Sequence, residues 1–526
     1  MNYQAGQVVQ VTATDVAHGG WCVARPEDGP AVFIRHALPG ETVMARITEV
    51  MSRLARAEAV DIVTSSPDRV EPPCPHARPG GCGGCDWQHA TLPAQRDLKA
   101  AVIRQQLRRL AGLDYEVTVE ALPGDEGPGG EGARGEGARG EGAGGEGAGG
   151  EGAGGEGAGG EEHGGEEHGG EAHGGEQHGD GKPGAGLGWR TRVQYAVSPD
   201  GAAGLRAHRS HEVVGIGECL IAHPGLNDLG IPARRWPGAA SVEALVAPGS
   251  GERAVIVTTK GSVPRDAAPG ADAVLRRTGP AGRGLTPVRG RAHLSQLSGG
   301  RDWRVSAGAF WQVHPEAAGV LTEAVLAALD PRPGDAALDL YCGAGLFAGA
   351  LAPLVGPAGS VTGVEADHAA VRDARHNLRP WPWARVHRGD VAAVLRRAQG
   401  APRAAGQGTP PGAGGGAPPG TGRSALPPAR LVVADPPRAG LAREVIDYLG
   451  AGGNGASRFA YVSCDPATLA RDIALLADRG WTLAGLRAFD AFPMTHHVEC
   501  VATLVTGPPA ADPASGGIPE QEAGPR

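Results

Sequence analysis

From about Pro315 onward, short apolar runs alternate with Ala- and Leu-rich segments of helical length, and several of the runs end on a small or acidic residue. Strands that cross over through helices produce that alternation, so this part of the chain is expected to form a parallel sheet wound on both faces. The first unit is the clearest: in AALDLYCGAGLFAGALA (336–352) an apolar strand runs into a glycine turn and then a helix. Gly343 and Gly345 let the backbone turn sharply and approach a ligand at the N-terminus of that helix.

Further strand ends fall in register with it. SVTGVEAD brings Glu365 to the end of the second strand, where a carboxylate can accept both ribose hydroxyls of a nucleoside cofactor, and VHRGD brings Asp390 to the end of the third, near an adenine. The stretch from Gly343 to Ala348 also fits the dinucleotide fingerprint, so an NAD enzyme and a methyl-donor enzyme both stay in view here. The fourth strand, RLVVADPPRAG, separates them, because Asp435-Pro-Pro-Arg438 directly follows four apolar residues, over the reactive part of a cofactor. Methyltransferases acting on nucleobases carry Asp/Asn-Pro-Pro at this place, and hydride transfer has no need of it.

The fifth strand, RFAYVSCDPATLARD, ends on Cys464 just before a helix. A uracil ring carbon is a poor nucleophile, and methylating carbon 5 requires prior addition at carbon 6, for which a thiolate is the best-suited side chain. The helix N-terminus is expected to lower the thiol pKa. Once the methyl is in place the carbon 5 proton must leave to a base. Glu499, a carboxylate inside the otherwise apolar AFPMTHHVECVATLV, is the candidate, since a buried carboxylate is costly unless paired or functional.

Upstream, residues 5–63 alternate apolar and polar in short runs separated by Gly and Pro, the pattern of a small five-stranded antiparallel barrel of the kind that commonly binds nucleic acid. An amphipathic helix is expected from Pro93 to Leu110, with Leu98, Val102, Leu107 and Leu110 near one face, and strand-like runs return between 187 and 310. Between them, 123–186 repeats GEGAGG and EEHGG units and is expected to be a linker, its His163, His168, His173 and His178 weak candidates for metal capture. Residues 125–182 hold 15 Asp/Glu against 3 Lys/Arg, a net −12 beside −9 for the whole chain, so the remainder is mildly basic and compatible with RNA.

The expected organisation is therefore a barrel over 1–65, a β-rich central unit over 66–122 and 187–312, a catalytic α/β unit over 313–506 interrupted by a Gly/Pro-rich loop at 400–428, and a tail over 507–526. No apolar run reaches the roughly 18 residues of a membrane span, and the start MNYQAGQVVQ lacks a secretory layout. A cytoplasmic protein is expected, in which the eight Cys are metal ligands, catalytic groups or core residues rather than a disulfide framework. Cys74, Cys82 and Cys85 are separated by seven and then two residues. A metal or Fe–S site needs a fourth ligand, for which Cys219 in GIGECLIAHP is the best candidate; spacing alone leaves zinc and iron–sulfur level.

Taken together, DLYCGAGLF, ADPPRAG, YVSCDPATLARD and FPMTHHVE resemble the uracil-C5 RNA methyltransferase family, along the whole chain outside the two low-complexity insertions. The resemblance implies a class I methyltransferase sheet and S-adenosylmethionine as methyl donor, held by Gln312 of FWQVHP, Tyr341, Glu365, Asp390 and Asp435. It implies Cys464 as nucleophile and Glu499 as base. It also implies a [4Fe–4S] cluster on Cys74, Cys82, Cys85 and Cys219, although the family's first gap has five residues. Leu346 departs from the Asn that many members place against the donor. The barrel resembles the TRAM module, and with the cluster it implies the branch acting on 23S rRNA rather than tRNA, as a monomer. The rival readings are an NAD or Fe–S oxidoreductase, with no use for Cys464, and a non-catalytic RNA-binding factor, against which Cys464 and Glu499 argue.

Overall fold

The computed structural model describes residues 3–27, 29–125, 184–279, 284–399, 426–450 and 455–506. The histidines at 163–178 and the tail from 507 lie outside the described residues.

The N-terminal alternation folds as anticipated, with Val32, Ile34, Val43, Ala45, Ile47, Ala55 and Ala57 turned inward and almost fully buried. The sheet has six strands rather than five, in the order Val8–Thr12, Thr42–Val50, Leu54–Thr64, Ala31–Arg35, Trp21–Ala24, Asp15–Ala17. It is also not wholly antiparallel, because Ala31–Arg35 runs parallel to Leu54–Thr64.

The central region forms a seven-stranded sheet around Arg192–Val197, Ala239–Val246 and Arg253–Thr259. Sequence periodicity missed Ala239–Val246, whose last five residues are all buried and so show no alternation. The hairpin His293–Ser298 with Arg301–Ser306 rests on the catalytic region, where Arg304 pairs with Asp373 and Trp303 packs near Ala344 and Ala370.

The catalytic sheet has eight strands. Its five parallel strands lie in the order Ala384–Arg388, Ser360–Glu365, Ala336–Leu340, Leu431–Ala434, Arg458–Ser463, so the order reverses beside Ala336–Leu340. Glu499–Thr506 then pairs antiparallel with the fifth strand and with Trp481–Asp490. Two apolar cores cover the faces, one around Leu338, Val432 and Tyr461 and one around Leu351, Val433 and Val462.

The eighth strand, Val119–Ala121, comes from before the long insertion and runs parallel to Trp481–Asp490. The preceding helix, Leu92–Gln106, continues into a wider π-type turn to Ala111 and packs on the same sheet through Ala100, Ile103 and Leu107. The stretch 92–121 thus lies against the catalytic sheet, not only the central unit to which the sequence assigned it. The buried helix face also differs from expectation: Leu110 is exposed and Lys99 is fully buried, because Lys99 reaches Asp490 and the Phe492 carbonyl while Gln95 bonds Met494. Among the described residues no helix is long and apolar enough to cross a membrane.

Candidate active site

A cavity of about 860 Å³ opens where the parallel strands end. Gln312, Tyr341, Gly343, Glu365, Asp435, Cys464 and Glu499 all line it, so seven of the nine residues singled out for catalysis and donor binding meet there. Gly345 and Asp390 are not on its wall. Gly345 instead starts the helix Leu346–Val355 with φ 90°, packed so closely that a Cβ would come within 3.3 Å of Ala374. Asp390 is exposed beyond the third strand, where its carboxylate accepts the Ala393 N–H at 2.9 Å.

The glycine turn is built as a cradle. Tyr341 and Gly343 both have positive φ, and the Gly343 N–H donates to Glu365 Oε2 at 3.0 Å, while the Asp367 N–H donates to Oε1 at 2.7 Å. Glycine at the helix start supplies no capping side chain, and Asp339 fills the role by accepting the Ala348 N–H at 2.8 Å. Its other oxygen has no hydrogen-bond partner, and burial pushes its carboxyl up to about 8. Asp339 is not among the residues singled out from the sequence; an acid within AALDLYC was the available signal.

Cys464 follows the strand Arg458–Ser463, and Asp465 caps the helix Pro466–Ala477 by accepting from the Ala467 and Thr468 N–H groups. The expected lowering of the thiol pKa is not found. Burial first, then the Glu499 carboxylate, push Cys464 up to about 12, with only Arg438 pulling the other way among its main neighbours. Burial opposes ionisation of Asp465 too, yet His18 of the barrel, 3.1 Å away, and the Thr468 amide hold it down to about 2.

Glu499 opens its strand opposite Phe489, is 5 % exposed, and has one oxygen without a partner. Burial, then Asp435, raise it well above the usual carboxylate range, and burial raises Asp435 as well. These two acids and the thiol face one space, so they cannot all be ionised near neutral pH. Arg438, which donates to His497 at 3.2 Å, is a cation on the wall together with Arg190, and Phe310, 65 % exposed, stands at the cavity's edge.

The four cysteines expected to share a metal or cluster, Cys74, Cys82, Cys85 and Cys219, lie along the wall of one small cavity, although Cys219 comes from the far side of the insertion. Burial raises the Cys82, Cys85 and Cys219 thiols. Among the described residues, no group of three or more His, Cys, Asp or Glu is gathered closely enough to hold a single metal ion. Cys22, Cys342 and Cys500 are buried core residues, as expected.

Residues 429–506 match the tRNA (uracil-5-)-methyltransferase family model and residues 3–60 match the TRAM domain. An uncharacterised RNA methyltransferase of Streptomyces avermitilis is 43% identical over 515 residues, covering 95% of this chain and 98% of its own. One of Bifidobacterium longum is 30% identical, covering 92% and 94%. Among solved structures, the Pyrococcus abyssi tRNA (uracil-54, C5)-methyltransferase in complex with S-adenosyl-L-homocysteine superposes with a TM-score of 0.58 at 19% identity, covering 94% of this chain and 100% of that one. This likeness is one of fold.

Proposed function

Since the chain belongs to the RNA methyltransferase family and carries its uracil-C5 methyltransferase domain behind a TRAM barrel, we propose that it methylates carbon 5 of a uridine through a covalent adduct on Cys464. S-adenosylmethionine supplies the methyl group when bound. Gln312, Tyr341, Glu365 and Asp435 hold the donor, Glu365 being preset by the Gly343 and Asp367 amides for a ribose. The Cys464 thiol loses its proton to solvent and the sulfur bonds to carbon 6, and the electron pair displaced to carbon 5 takes the methyl group from the donor's sulfonium, which is left as a thioether. Glu499 then accepts the carbon 5 proton, and the carbon 6 to sulfur bond breaks to return the thiolate. The observation carrying this reading is that Cys464 and Glu499 face one cavity together with the donor residues.

The test is methylation of RNA from a strain lacking the gene, with 5-methyluridine mapped in rRNA and tRNA. Cys464→Ala should lose activity by several orders of magnitude and keep donor binding. Glu499→Gln should accumulate a covalent complex with methylated RNA on a denaturing gel, which the double variant with Cys464→Ala must remove. Normal turnover by Cys464→Ala overturns the assignment.

The substrate we favour is 23S rRNA, with tRNA as the second reading, supported by the name of the family model. The support for rRNA is the cysteine set. Cys74, Cys82, Cys85 and Cys219 line one cavity, and four thiols are the donor set that a [4Fe–4S] cluster takes. A zinc ion would draw its thiolates in to about 2.3 Å, tighter than a cube in which each ligand takes its own iron. Anaerobically purified protein should be brown and contain iron, and Cys219→Ala should bleach it; colourless protein with one zinc overturns the cluster. The reading is completed by a cytoplasmic, monomeric enzyme.

A further inference from the structure

A second cavity, of about 370 Å³, lies between the barrel and the central sheet, and the chemistry above makes no use of it. The barrel contributes His18, Trp21 and Arg56, the turn after Ala203–Arg206 contributes His208 and Arg209, and His496 comes from the segment leading into Glu499. Arg56 and Arg209 place their guanidinium carbons 5.7 and 5.8 Å from the centre of the Trp21 ring, and His208 meets that ring edge-on at 5.7 Å. Arg209 is exposed, sits in a left-handed backbone conformation with φ 52°, and has no ion-pair partner among the described residues. Burial, then Arg35, lower His208 to about 4, so at neutral pH it offers hydrogen bonds, and with Arg56 paired to Glu49 the free charge is that of Arg209.

The two cavities share a wall. His497 lines the catalytic one and His496 the second, with ring centres 4.0 Å apart. Gly83 lines the catalytic cavity, and a Cβ there would come within 2.6 Å of the His208 Cα. On the rim, His18 contacts Asp465, the residue next to Cys464. Cavities divided only by such a wall are close enough to be occupied by neighbouring nucleotides of one strand. Aromatic rings and guanidinium planes are what unstacked RNA bases pack on, and unpaired arginine is what phosphate seeks.

We propose that this second cavity is a nucleotide subsite that holds the base and phosphate adjoining the target uridine, with the base against the Arg56–Trp21–Arg209 stack and the phosphate on Arg209. It rests on the uridine-methylating reading of the neighbouring cavity. The subsite joins barrel, central sheet and catalytic segment, so it would register the RNA strand against Cys464.

Arg209→Glu tests it, because the residue is exposed and its change removes no described ion pair. The control is Arg332→Glu, an exposed position before the strand Ala336–Leu340 and therefore at the opposite end of the sheet from the cavities. Binding of a fluorescein-labelled twelve-residue oligouridine is followed by anisotropy at several salt concentrations, and KM and kcat are measured on RNA from the deletion strain. Arg209→Glu should weaken oligouridine binding about tenfold, flatten the log–log salt dependence by about one unit, and raise KM far more than it lowers kcat. Arg332→Glu should match the wild type. If Arg209→Glu binds and titrates with salt like Arg332→Glu, the subsite is refuted. The binding arm requires no methyl transfer, so failure of the subsite is distinguishable from failure of the Cys464 assignment, which the adduct assay decides.

Discussion

The residues at the centre of the cavity oppose one another's charge. A thiol raised to about 12 is protonated at neutral pH, and the thiolate fraction grows about tenfold per pH unit below that value. Alkylation of Cys464 by iodoacetamide, followed by mass spectrometry in the absence of RNA, should therefore climb steadily from pH 7 upward with no plateau near 8.5. Glu499→Gln removes the largest charge acting on the thiol and should shift that profile to lower pH, leaving the burial contribution behind. An unchanged profile would mean that Glu499 is already neutral in the resting protein. Asp339 titrates in the opposite sense from an ordinary salt-bridged acid. Its folded pKa of about 8 lies well above that of an aspartate in the unfolded chain, so its share of stability is present at low pH and is lost as pH rises through about 8. Asp339→Asn keeps an acceptor for the Ala348 amide and cannot ionise, so its melting temperature should fall less than the wild type's between pH 4 and 8. At this scale the sequence disclosed residue identities well and their electrostatics poorly. The helix N-terminus after Cys464 was readable, whereas the burial and the facing carboxylates that outweigh it arise from strands far apart in the chain.

Among the elements, the helix Leu92–Gln106 shows where periodicity fails. A lysine at position 99 reads as solvent-facing, yet Lys99 is buried against Asp490, which lies at the end of the strand Trp481–Asp490. The partner is 391 residues away, so no local pattern could reveal it. Leaving one charge of such a pair alone costs about 3–5 kcal/mol, whereas replacing both by apolar residues is often neutral. Lys99→Ala should accordingly lose about that much in denaturant unfolding, and Lys99→Met with Asp490→Leu should recover most of it. Equal losses in the single and double variants would show that the pair contributes through packing alone. The catalytic strands were legible because each couples an apolar run to a chemically distinctive end: Gly343, Glu365, Asp435 and Cys464. The wholly buried end of Ala239–Val246 has no such marker.

On the scale of the whole molecule, Val119–Ala121 and the helix before it belong to a sheet formed mainly by residues beyond 336, so the chain is committed to its catalytic fold on both sides of the acidic repeats. The repeats are legible in the sequence as a break in patterning, but the closure across them is not. Asp125, only 8 % exposed, accepts the Gly186 N–H at 3.1 Å and lies 2.7 Å from His314 Nε2, joining the two edges of the break. Replacing 126–183 by a short Gly/Ser link removes no described contact, so the melting temperature should stay near that of the full chain. It also removes 14 Asp/Glu against 3 Lys/Arg, which should tighten RNA binding most at low salt, with the gain fading as screening increases. Asp125→Ala in the shortened protein should lower stability by about 1–3 kcal/mol, the cost of stranding a buried His314 and the Gly186 amide. If the shortened protein melts far below the full chain while Asp125→Ala has no effect in it, the closure across the break is made by the repeats and not by Asp125.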